Sequence, residues 1–177
     1  MNDHIEVNYK SGDIEEFHKE LINRSLCGLF LPGNVLECQG ATIITYSTKD
    51  YLPVTAVEAL DVCRALDMIR CLMAAMMEAE RRYFFLGEYS MEPEHIYVSM
   101  EGSQVCLIYR KAEYADEKQV YEKLIDLIEI LKTKLVNGGE SYLDTAAGYL
   151  RRGKSSPGVV RHRIEELSRE ARACRFE

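Results

Sequence analysis

Several chemical signatures are missing from this chain, and each absence closes off a function. None of its six cysteines forms a C-x-x-C pair, so neither a zinc knuckle nor a thioredoxin-like motif is available. Its four histidines are scattered without H-x-x-x-H spacing, which leaves no support for a metal site. The longest apolar-rich stretch, Ala65 to Met77, is interrupted by Asp67 and Arg70 and is shorter than the ~20 residues that span a bilayer. The start, MNDHIEVNYKSGDIEE, is polar and acidic and has no apolar core behind a basic end; the expected location is the cytoplasm. No internal repeat or low-complexity tract is present.

What is present is a chain of 177 residues with a net charge of -7. That length suffices for a real core, and the acidity argues against a general nucleic-acid binder. HIEVNY alternates and reads as a strand with Ile5, Val7 and Tyr9 on one face. A helix is expected from Asp13 to about Arg24, with Phe17, Leu21 and Ile22, joined by Ile14, on its apolar side. NVLECQGATIITYS reads as a hairpin turning at Gln39-Gly40. Thr55, with Glu58 three residues on, reads as the N-cap of a long helix reaching about Tyr83. Its stripe is Leu66, Ile69, Leu72, Met73 and Met76, with Cys71, Ala74, Ala75 and Met77 widening it. IYVSM and VCLIYR flank Glu101-Gly102-Ser103 as a second hairpin. Helices are expected at 116–136, ended by the glycines of NGG, then at about 140–151 and 157–174.

From Arg151 onward, eight Lys/Arg (Arg151, Arg152, Lys154, Arg161, Arg163, Arg169, Arg172, Arg175) face four glutamates (Glu165, Glu166, Glu170, Glu177). Such a helix can grip phosphate or an acidic lipid surface. The plainer expectation is a helix docked on the acidic body of its own chain.

The run MEPEHIYVSMEGSQVCLIYR has the cadence of a protein-kinase catalytic loop and the strands after it. Such loops read H-R-D-L-x-x-x-N and lead to D-F-G. The first Asp accepts the substrate proton, and the Asn and second Asp hold magnesium. With the prolines of PEHIYV and PENILV aligned, Ser90 stands at the proton acceptor and His95 at the metal-binding Asn. Tyr109 or its neighbour falls near the D-F-G Asp. A serine hydroxyl is a poor base, and a phenol is a poor magnesium ligand beside a carboxylate. No G-x-G-x-x-G precedes a strand, and ATIITYS offers no phosphate-binding lysine. Kinase catalysis is therefore excluded at the level of residue chemistry, and no nucleotide or other cofactor is expected. A thiol-dependent enzyme, pairing Cys27 or Cys38 with His18 or His95, is the remaining catalytic alternative.

Taken together, EEFHKELINRSLCGLFLPGNVLECQGATIITYSTKDYLPV, the long helix and MEPEHIYVSMEGSQVCLIYRKAE resemble a bacterial domain of unknown function. That domain is usually found N-terminal to phosphothreonine-binding FHA domains. The matching elements are the Gly28-Leu29-Phe30-Leu31-Pro32 turn, the strand end at Tyr46-Ser47 with Thr48, and the Pro93-to-Ser99 hairpin. With the tail YEKLIDLIEILKTKL…ESYLDTAAGYL, the resemblance covers about 150 residues. The same outline is similar to the cytosolic pseudokinase domain of the type VII secretion components EssB and YukC. The resemblance implies an α+β, degenerate kinase-like fold with a reduced N-terminal sheet lobe and a mainly helical C-terminal lobe. In this chain that means one domain over 1–177: a β-rich 1–52 with one helix, then a mainly helical 53–177 with a β-hairpin at about 95–109. It further implies a non-catalytic protein-interaction or scaffolding module in bacterial signalling or secretion, with an FHA-domain or type VII secretion component as partner. Phosphothreonine reading and membrane anchoring do not carry over, because neither an FHA segment nor a transmembrane helix is read in these residues.

Overall fold

In the computed structural model, residues 3–102, 104–152 and 156–174 are described. Ser103, Lys154, Arg175 and Glu177, invoked above, lie outside them. Strand β1 (His4–Lys10) pairs antiparallel with β3 (Ala41–Ser47), and β3 pairs with β2 (Gly33–Cys38), giving the order β1-β3-β2. Gln39 and Gly40, at φ 49° and 81°, make the β2–β3 turn where the sequence puts it. The pairing of Val7 with Ile44 and Ile5 with Tyr46 aligns the inward residues of adjacent strands.

Helix α1 (Glu16–Asn23) starts later than its pattern suggests. Asp13 instead closes the turn after β1: its carboxylate accepts from the Lys10 N–H at 3.1 Å. The buried face of α1 carries His18, Lys19 and Ile22, whereas Phe17 is 45% exposed. The helix is rotated relative to the expected apolar side because two polar residues are satisfied inside. Lys19 pairs with Glu16 and Glu37, and the His18 ring meets the Tyr83 carbonyl at 2.8 Å.

A short strand β4 (Tyr51–Pro53) and a 3₁₀ turn (Val54–Ala56) precede α2 (Val62–Glu80). Thr55 lies in that turn and is not the helix cap. Asp61 is the cap, its carboxylate accepting from the Arg64 N–H at 2.9 Å. The delay arises because Leu60 is held extended against Leu135: its N–H bonds to Lys134 O at 2.9 Å, and its carbonyl accepts from Val136 N at 3.0 Å. Leu66, Ile69, Leu72, Met73 and Met76 form the buried stripe, as the spacing requires.

Strands β5 (Ile96–Ser99) and β6 (Val105–Leu107) form the second hairpin, and β4 joins it in a sheet of order β4-β5-β6. The part after residue 53 therefore shares a three-stranded sheet with the end of the first part, rather than carrying an isolated hairpin. The segment leading into β2 is held against β6, Leu31 N–H bonding to Leu107 O at 2.8 Å and Leu107 N–H to Leu29 O at 2.7 Å.

Helix α3 (Glu117–Thr133) is capped by Asp116. The glycines of NGG do not cap its end. Gly139, at φ 97°, is the N-cap of α4 (Glu140–Arg151). A Cβ there would lie 2.7 Å from Val62 Cβ, so the residue must be glycine both for its backbone and for the approach of α4 to α2. Helix α5 (Pro157–Ala173) lies along α2 with Val160, Ile164, Leu167 and Ala171 buried. Ser168 donates to Asp67 at 3.2 Å and Arg172 pairs with the same carboxylate. One contiguous apolar cluster runs from Val7 to Ala171 through both sheets and all five of these helices.

Candidate functional site

The loop that opens the kinase-like segment lies between α2 and β5, and its geometry is set by three staples. Ser90 N–H bonds to Arg110 O at 2.7 Å, Met91 N–H to the Tyr114 hydroxyl at 3.0 Å, and Glu92 pairs with Lys123 at 2.9 Å. Pro93 then opens a 3₁₀ turn that delivers His95 to the start of β5.

The fold brings Ser90 and His95 together. Ser90 Oγ lies 2.7 Å from His95 Nδ1 and accepts from the Glu92 N–H at 3.3 Å. Burial, and then the nearby Arg110 guanidinium, hold the His95 imidazole below its ordinary pKa, so the neutral ring is favoured. Ser90 is buried and already has its partners within the loop, so the pair acts as a turn brace.

Tyr109 belongs to a different cluster. Its carbonyl accepts from the hydroxyls of Tyr9 at 3.0 Å and Tyr46 at 3.3 Å. Its ring is 3% exposed and lies 5.3 Å from Phe30, 5.6 Å from Phe84 and 6.2 Å from His18, centre to centre. Phe30 also meets Tyr89 edge-on at 5.6 Å, so aromatic side chains fill the junction between the first sheet and the end of α2. Among the described residues, no three of His, Cys, Asp and Glu gather where a cation could be held.

The two histidines of the thiol alternative each hold a structural contact. His18 spends Nε2 on Tyr83 O and stacks on Phe84 at 4.1 Å, while His95 spends Nδ1 on Ser90. Cys27 is buried and burial pushes its thiol pKa up, the opposite of an activated nucleophile. Cys38 is exposed at the end of β2. The basic helix spends several of its cations within the chain. Arg169 pairs with Glu165 at 2.7 Å, Arg172 with Asp67, and Arg163 lies 5.2 Å over the Tyr149 ring.

Two features escape the sequence reading. Open grooves of about 470 Å³ and 510 Å³ flank Met100, the first beside Leu60, Arg64 and Met68, the second beside Ile5, Tyr51 and Tyr97. An exposed aromatic group, Phe17, Tyr83 and Phe85, surrounds the end of α2. The run YFF directly after a helix end was the only available signal for it.

No family model matches the chain, and no curated protein matches it significantly. Solved structures do. The chain resembles the cytoplasmic fragment of EssB from Staphylococcus aureus at 13% identity, covering 97% of this chain and 98% of that one, with a TM-score of 0.48. It also resembles an apo pseudokinase at 9% identity, covering 93% of this chain and 82% of that one, with a TM-score of 0.55. At such identities the likeness concerns the fold alone: an α+β chain with two three-stranded sheets and a pseudokinase-like neighbour. Among the described residues, no helix is long and apolar enough to cross a membrane.

Proposed function

We propose that this chain is a non-catalytic protein-contact module with a degenerate kinase-like outline, acting as a single domain. The observation that carries the reading is that Ser90, His95 and Tyr109 are all occupied by structural contacts. The first two brace each other, and the third is locked in an aromatic junction. Phosphoryl transfer depends on electrostatic stabilisation and positioning. These positions supply no carboxylate for it, and the neighbouring Glu92 is neutralised by Lys123. The partner we put forward is a component of an FHA-linked signalling or type VII secretion assembly, a choice resting on the sequence resemblance.

The test is a transfer assay with γ-labelled ATP, Mg²⁺ or Mn²⁺ and mixed protein acceptors. We expect no label above the heat-denatured control. Metal-dependent labelling that is lost in His95→Ala overturns the reading.

A further inference from the structure

We propose that Phe17, Tyr83 and Phe85, rimmed by Glu15 and Glu88, form the docking surface for an arginine-bearing segment of a partner protein. This deepens the contact-module reading and rests on it. The first support is backbone strain. Helix α2 ends in a left-handed cap, with Tyr83 N–H bonded to Glu80 O at 3.1 Å and Phe84 N–H to Ala79 O at 3.0 Å. The residue at the left-handed position is Tyr83, at φ 62°, where glycine is the relaxed choice. Its ring is 65% exposed, so burial in its own chain does little to offset the strain. Strain kept at an exposed aromatic is the pattern of a functional position.

The second support is geometry. Phe17 meets the Tyr83 ring edge-on at 6.3 Å and 90°, and Phe85 meets it at 6.4 Å and 80°. The three therefore form one apolar island with ring faces turned in different directions. The island is fixed from below, because His18 holds the Tyr83 carbonyl and packs on Phe17 at 4.0 Å.

The third support is charge. Of the cations near the island, Lys19 pairs with Glu16 and Glu37, Arg24 with Glu20, Arg81 and Arg82 share Glu78, and Lys111 donates to the Asp13 carbonyl at 3.1 Å. Glu15 and Glu88 have no cationic partner among the described residues. Glu88 is placed at the island by accepting from the Phe85 N–H at 3.3 Å, and Glu15 immediately precedes α1. Exposed ring faces beside unpaired carboxylates, on a chain of net charge -7, complement a guanidinium, which stacks on rings and pairs with carboxylate at once. Lysine, a compact and strongly hydrated charge, gains less from ring faces.

The experiment titrates the full chain with three fluorescein-labelled peptides: Gly-Arg repeats, Gly-Lys repeats and Gly-Glu repeats. Expected is saturable binding of the arginine peptide, weaker binding of the lysine peptide and none of the glutamate peptide. Tyr83→Gly lowers arginine-peptide affinity about tenfold or more yet raises the melting temperature, because glycine relieves the left-handed backbone. Glu88→Gln weakens binding with the fold intact. Three results overturn the proposal: no arginine-peptide binding, equal arginine and lysine binding indifferent to Tyr83→Gly, or a lower melting temperature in that variant. A chain that binds no arginine peptide and transfers no phosphate sinks this surface alone, whereas one that transfers phosphate sinks the reading beneath it.

Discussion

Tyr109→Asp introduces a carboxylate where the sequence resemblance puts a kinase's magnesium-holding Asp, and it should unfold the protein rather than create a metal site. The Tyr109 ring packs on Phe30, Phe84, His18 and Tyr9 and is 3% exposed. Truncating a buried aromatic costs roughly 3–5 kcal/mol through lost transfer energy and the remaining cavity. Placing an ionised carboxylate in that site adds several kcal/mol more, reduced only as far as the group takes up a proton. The sum is comparable to the ~5–15 kcal/mol that holds an ordinary domain together. The control, Tyr109→Phe, conserves volume and should cost less than about 1.5 kcal/mol. Urea unfolding followed by far-UV circular dichroism at neutral pH reads both variants. We expect a cooperative transition near wild type for Tyr109→Phe, and a chain largely unfolded without denaturant for Tyr109→Asp. An aspartate variant that melts like wild type and is stabilised by Mg²⁺ with ATP would refute the placement of Tyr109 in the core.

Three further outcomes follow from particular contacts. Gly139→Ala strains a left-handed residue and drives a methyl to 2.7 Å from Val62 Cβ, so it should destabilise by about 2–4 kcal/mol in the same urea assay. Asp61→Ala removes the cap bond to Arg64 N–H and should cost about 1 kcal/mol, whereas Thr55→Ala should leave α2 unaffected; thermal melts compare them. Burial pushes the Cys106 thiol pKa up from 9.0 to about 11. The unfolded chain thus loses that proton first as pH rises. The associated stability is complete below pH 9 and falls by roughly 3 kcal/mol as pH passes through 11. Stability of Cys106→Ala measured across this range should decline less steeply than wild type.

Periodicity exposed much of the fold because burial imposes it directly. The stripe from Leu66 to Met76 and the Val160-to-Ala171 face lie where helical spacing requires, and both hairpins lie where β-rich runs flank turn residues. Errors fell where a long-range contact overrode a local signal. Thr55 carries a good capping-box pattern, but pairing of Leu60 with Leu135 keeps the chain extended until Asp61. Phe17 is more apolar than His18 or Lys19, yet Glu37 on β2 and the Tyr83 carbonyl satisfy the two polar residues inside and turn Phe17 outward. In the segment that resembles a kinase loop, the sequence places Ser90, His95 and Tyr109 where a kinase carries Asp, Asn and Asp. It does not reveal that Ser90 and His95 bond to each other while Tyr109 turns to a separate aromatic cluster, since that depends on β6 docking against the segment before β2. The run YFF marks aromatic residues after α2, but the exposure of the Tyr83 ring depends on a left-handed backbone that composition does not signal.

Calorimetric titration of the intact chain with ATP and Mg²⁺ probes most directly whether its kinase-like positions do anything but hold the fold. No saturable heat is expected, and Ser90→Ala and His95→Ala should leave the trace unchanged while lowering the melting temperature. A saturable isotherm that either substitution abolishes, in a variant that remains folded, would contradict a purely structural role for the pair.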